Sequence, residues 1–171
     1  MAKPLPWFAL EKVQYGAFAA LLGLSLTTNG TESFTGHWTA FAAGDSCLFH
    51  VRHPELLVCF PIERADQFNN HPVLLSTNPL KNQLLSEVAD KLEWRGQWQV
   101  GDQFLLMTDA LAQWFMVQVE QGEQPWLTLK EVASHSQLLS GAFNTWITDL
   151  RTSKNIRNDD VTLLMIDITG A

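Results

Sequence analysis

Apolar residues fall along this chain in patterns that each predict a different kind of element. The unbroken run Phe104-Leu105-Leu106-Met107 follows the turn signal Gly101-Asp102 and predicts a strand buried on both faces. Beyond Asp109 the period changes: Leu111, Trp114, Phe115 and Val119 recur at helical spacing, so a helix with one face on the core starts there. Asp109 therefore stands where a buried strand hands over to a helix. Phe143, Trp146, Ile147 and Leu150 recur at the same helical spacing, which predicts a second amphipathic helix.

Trp7–Tyr15 suits a short helix, with Pro6 near its first turn and Gly16 as its stop. Ala17–Thr28 is apolar up to the Asn29-Gly30 turn, and its second half is assigned as a strand. After a polar loop, Thr31–Gly36, the segments His37–Ala43 and Cys47–Arg52 are expected to form a hairpin through Gly44-Asp45-Ser46. Glu55–Phe60 follows the His53-Pro54 turn and extends the hairpin into a meander. Pro61–Pro79 is broken by Asn69-Asn70-His71-Pro72 and Asn78-Pro79 and reads as a long excursion. Leu84, Leu85, Val88 and Leu92 are spaced for a helix, whereas Trp94-Arg95-Gly96-Gln97-Trp98 reads as a tight turn exposing its two tryptophans. Trp126–Ala133 is expected as a short helix, and the polar turn Asn155–Asp160 leads into a buried strand, Val161–Ile166. No repeat, low-complexity tract or linker divides the chain, which reads as one domain.

Composition narrows the function more than the fold. The 171 residues are 46% hydrophobic and 17% charged, ordinary for a globular domain with its own core. A net charge of −7, with 11 Lys and Arg and no basic run, argues against nucleic acid and anionic membrane surfaces as partners, and is compatible with cation binding. The apolar stretch Gly16–Leu26 is too short and too rich in small residues for a membrane span, and it lacks the basic start of a secretory signal. Cys47 and Cys59 lie in apolar segments without metal-ligand spacing, so they are expected as buried free thiols in a reducing compartment, the cytoplasm. His37, His50, His53, His71 and His135 form no metal motif and are expected as surface or strand residues. There is no nucleophile elbow, phosphate-binding glycine loop or dinucleotide fingerprint.

Three acidic positions share one context. Asp45, Asp109 and Asp159, the last with Asp160 beside it, each stand at a turn against a buried strand. Each has an ordinary explanation as a helix N-cap or turn-former, since carboxylates accept hydrogen bonds from free backbone N–H groups. If the strand ends bring them together, their mutual repulsion calls for a neutralising cation. Oxygen-only ligation of that kind suits Mg²⁺ or Mn²⁺.

Ala43-Gly44-Asp45-Ser46, Gly101-Asp102-x-Phe-Leu-Leu-x-Thr108-Asp109-Ala110-Leu111 and Asn158-Asp159-Asp160-Val161-Thr162, in this order before buried strands, resemble the C-terminal half of the metal-dependent protein phosphatase 2C family. The resemblance spans roughly Ala17–Ile168. It implies an α+β fold, an antiparallel β-sandwich flanked by helices (αββα), incomplete at the N-terminal side. It also implies hydrolysis of phosphoserine or phosphothreonine by a water bound between two Mn²⁺ or Mg²⁺ ions, with Asp109 and Asp159 as metal ligands and Asp45 as an accessory acidic residue. Ala110 stands where the family has Gly, and Asp160 where it has Asn. The family's acidic strand residue and Asp-Gly-x-Gly-Gly turn do not occur before Gly44. The chain is therefore expected to be a weak or incomplete phosphatase acting on phosphoproteins, or a catalytically silent phosphatase-like interaction module whose partner covers an exposed apolar sheet.

Overall fold

The computed structural model describes residues 15–28, 30, 34–69, 71–138 and 141–170. The helix expected over Trp7–Tyr15 lies outside them apart from its last residue. The strands are β1 (Phe18–Ala19), β2 (Leu21–Thr28), β3 (Thr35–Ala43), β4 (Cys47–Arg52), β5 (Glu55–Phe60), β6 (Leu75–Ser76), β7 (Glu93–Gln99), β8 (Asp102–Met107) and β9 (Leu163–Asp167). The α-helices are α1 (Gln83–Glu87), α2 (Asp109–Glu120), α3 (Pro125–Leu138) and α4 (Ala142–Thr152). The chain is thus α+β with antiparallel sheets, as expected. No described helix is long and apolar enough to cross a membrane.

Two sheets face each other. One has the order β2-β3-β7 and the other β5-β4-β8-β9, and β1 pairs separately with β6. Residues of β3 alternate, with Trp38, Ala40 and Ala42 buried and His37 and Phe41 exposed, because only one face of its sheet meets the core. β4 is buried on both faces. Its Leu48 joins Trp38, Phe60, Trp98 and Phe104 in the core between the sheets. Its Cys47, Phe49 and Val51 point the other way and pack with Leu105 and Met107 against Leu111 and Phe115 of α2, Leu129 of α3 and Ile147 of α4. Among the described residues the layers are therefore sheet, sheet, helices, with α2, α3 and α4 packed on the second sheet where helices on both sides were expected. On the outer side of the first sheet stand Ser25, Thr27, Thr39, Glu93, Arg95 and Gln97, with Leu21 and Phe41 as the large apolar exceptions. That face is polar where an uncovered apolar one was expected.

Two connections differ from the sequence reading. Gly44-Asp45-Ser46 is not a hairpin: β3 and β4 belong to different sheets, and the segment carries the chain across the sandwich. Trp94–Trp98 is not a tight turn but the body of β7. Gly96 interrupts the strand pattern because Trp38 of β3 lies over it, and a Cβ there would sit 2.6 Å from the indole. Trp94 is 40% exposed, but Trp98 is buried, so the expected exposed pair is half right. The excursion from Pro61 holds a short 3₁₀ turn and β6, and α3 runs longer than its pattern suggested.

Candidate functional site

Asp109 is the first residue of α2, and the N-cap is Thr108, whose side chain makes no capping bond. At that position a carboxylate is favoured by the helix dipole. Its nearest charge is the Arg157 guanidinium, whose Nη2–H donates to Asp109 Oδ2. Asp159 is exposed in the turn before β9, and its Oδ1 accepts the Asp160 N–H at 2.8 Å, one residue on and not the two of an Asx turn. Thr108 ties the same turn to the end of β8: its Oγ1–H donates to Asp160 O at 3.0 Å, and its Oγ1 accepts the Thr162 N–H at 3.0 Å.

The fold brings the three predicted aspartates into one electrostatic neighbourhood. Asp45 has its carboxyl pushed above the usual range by burial and by the charges of Asp109 and Asp159, against the opposing pull of Arg157 and its own backbone. No three His, Cys, Asp or Glu side chains among the described residues are gathered closely enough to hold a cation. With Asp109 paired to Arg157 and Asp159 turned to its neighbour's N–H, the donor set fits two Mn²⁺ or Mg²⁺ ions only if Arg157 gives way. Beside Asp109 lies a cleft of about 500 Å³ walled by Trp114, Arg151, Lys154 and Arg157. Arg151 Nη2–H donates to Asp159 O. The Nε–H groups of Arg151 and Arg157 are buried and have no hydrogen-bond partner among the described residues.

Asp45 yields a first prediction. Because its folded carboxyl holds the proton more tightly than the unfolded one, charge on Asp45 works against the fold once the pH exceeds its ordinary value of about 4. Asp45→Asn should therefore stabilise the protein at neutral pH by on the order of 0.5 kcal/mol, a gain that fades below about pH 4. Urea midpoints at the two pH values measure it. A loss of stability at neutral pH would mean that Asp45 makes a favourable contact as an anion.

A second polar cluster went unread in the sequence. Asp102 opens β8 opposite Arg52 of β4, and its side chain is fully buried. Arg52 Nε–H donates to Oδ1 at 2.7 Å and Nη2–H to Oδ2 at 2.9 Å, the His50 Nε2–H donates to Oδ2 at 2.8 Å, and the Gln99 N–H donates to the same oxygen at 2.9 Å. Burial alone would raise the Asp102 carboxyl, but Arg52, Gln99 and His50 outweigh it and hold the group below its usual range. His50 is lowered, by burial first, against the pull of Asp102. It is a strand residue, as expected, yet it is only 2% exposed, stacked on Phe104 at 4.4 Å with the edge of Trp38 against it. The Trp38 indole N–H is buried without a partner among the described residues, an omission that costs about 1–3 kcal/mol unless something accepts it. The available signal was the alternation Leu48-His50-Arg52, which puts two nitrogen bases on one face of an otherwise apolar strand. Comparison with protein-family models, with curated proteins and with solved structures finds no match.

Proposed function

We propose that this chain is a protein phosphatase 2C-like domain that binds instead of hydrolysing: a catalytically silent module holding a phosphorylated protein at the cleft beside Asp109. The observation that carries this reading is the Arg157 guanidinium on the Asp109 carboxylate. In the hydrolases that the motifs resemble, that carboxylate serves a cation; here the chain's own cation answers its charge. Arg151 and Arg157 each keep a buried Nε–H without a partner among the described residues, and Lys154 stands beside them. Such donors suit a phosphate, whose oxygens take charge-assisted hydrogen bonds. Cys47 and Cys59 are free, with burial pushing both thiols up, Cys59 to about 11, so both stay protonated and inert. Inert free thiols agree with a cytoplasmic setting.

The electrostatic coupling of Asp45 to Asp109 and Asp159 favours a second reading, an active phosphatase in which Mn²⁺ or Mg²⁺ displaces Arg157. Two measurements separate them. The silent module binds a phosphoserine peptide more tightly than its unphosphorylated form, loses at least about tenfold in affinity on Arg151→Ala, and hydrolyses no phosphate ester with Mn²⁺. Mn²⁺-dependent turnover that disappears in Asp109→Asn would establish the enzyme and sink the silent module.

A further inference from the structure

The sandwich carries a cleft of about 320 Å³ between its two sheets, with β7 and β3 on one side and β4 and β5 on the other. Its position and chemistry are separate from the Asp109 neighbourhood and independent of the phosphatase-like reading. Trp38 and Trp98 face it from one sheet, and His50, Arg52 and Val58 from the other.

The polar groups around this cleft are more numerous than the fold needs. Asp102 is already satisfied by four hydrogen bonds, two of them from Arg52. A guanidinium has five N–H groups, so three remain without a partner among the described residues, on a side chain that is 38% exposed at the cleft wall. The Trp38 indole N–H, on a residue 1% exposed, has no partner among the described residues. Trp98 differs: its indole N–H donates to Thr27 O at 3.1 Å. An unmet donor therefore lies among aromatic walls, with guanidinium N–H groups to spare nearby. An ionised Asp102 accepts only, which fixes the proton of neutral His50 on Nε2 and leaves Nδ1 as a lone pair.

We propose that this cleft binds a small planar carboxylate, its ring against the tryptophans and its oxygens taking the Trp38 indole N–H and the free guanidinium N–H groups of Arg52. The volume stands at the lower end of the range for small-molecule sites, which limits the ligand to about one ring and its acid group. Aromatic faces supply most of the contact area, and the N–H donors fix orientation and select an oxygen acceptor.

Benzoate is the probe, and the reporter is the assigned indole N–H resonance of Trp38 in a ¹⁵N-labelled sample. The resonance should shift saturably with a Kd of about 1 mM or tighter, and benzamide should bind at least about tenfold more weakly. Arg52→Lys, which keeps the charge facing Asp102 but loses the planar fork, should weaken benzoate at least about tenfold. Val58→Phe, opposite His50 on β5, fills the slot while leaving every donor and acceptor of the polar network in place, and should abolish the shift. A Trp38 resonance that ignores benzoate, as it would if only water occupied the cleft, overturns the proposal. Equal binding of benzamide, or unchanged benzoate binding in folded Val58→Phe, overturns it as well.

Discussion

Asp102→Ala should cost the protein about 3 kcal/mol or more, a large share of the stability of a domain this size. The carboxylate is fully buried and accepts from Arg52, His50 and the Gln99 backbone. Truncation strands all three donors at once, and a buried charged network loses most when one member is removed and the others remain. The position compounds the effect. Gln99 ends β7 and Asp102 begins β8, which lie in opposite sheets, so the bond between them pins the point where the chain crosses the sandwich. Asp102→Asn keeps the shape but not the charge and should fall between the two. Urea unfolding measures all three proteins, and a loss below about 1 kcal/mol for the alanine variant would show that the network is dispensable.

The same cluster dictates the response to acid. His50 has a folded pKa below its ordinary value, so the unfolded chain takes up a proton that the folded chain resists, and stability falls as the pH drops from about 6.5. Asp102 is also lowered, and the stabilisation it gives above about pH 3.9 is lost only as the pH falls through its depressed folded value. Both groups act in one direction, so acid unfolding should start near the histidine range and steepen in the carboxylate range.

α2 and α4 were legible because one-sided burial writes a 3.6-residue period into the sequence, and Leu111, Trp114, Phe115 and Ile147 all lie in the core that period implies, whereas the spacing Leu84 to Leu92 yields only the five residues of α1 and a 3₁₀ turn. The crossings were not, because a glycine at positive φ followed by Asp serves a hairpin and a sheet-to-sheet step equally well. Gly44 at φ 107° and Gly101 at φ 93° both make the step. A distinguishing sign was present: β3 alternates while β4 is buried on both faces, so the two strands occupy different environments. Type and context single out the aspartates in the sequence, but not their partners. Arg157 lies 48 residues from Asp109, and Asp102 lies 50 from Arg52, separations at which a local pattern says nothing about pairing.

Gly36→Ala should be at least as damaging as loss of Asp102, for steric and not electrostatic reasons. Gly36 has no strained φ, so the backbone accepts alanine there, but its Cβ would lie 1.9 Å from Thr27 O and 2.6 Å from the ring of Trp98. The backbone acceptor cannot move without breaking the β2–β3 ladder, since Thr27 pairs with His37. Trp98 cannot stay, and its indole N–H loses the bond to that same Thr27 oxygen. Gly96 mirrors the arrangement from β7, with the Trp38 ring over it. Two tryptophans thus lie across two glycines on paired strands, each glycine making room for the ring from the other strand. Overpacking at such a seat costs about 3 kcal/mol and more when the neighbour is backbone. Gly23→Ala, on β2 with nothing within 4 Å of the added methyl, should stay within about 0.5 kcal/mol of wild type. Thermal melts of the three variants test the pairing. If Gly36→Ala and Gly23→Ala melted together, Trp98 would have another place to go, and the seat between β3 and β7 would not be what fixes the register of this sheet.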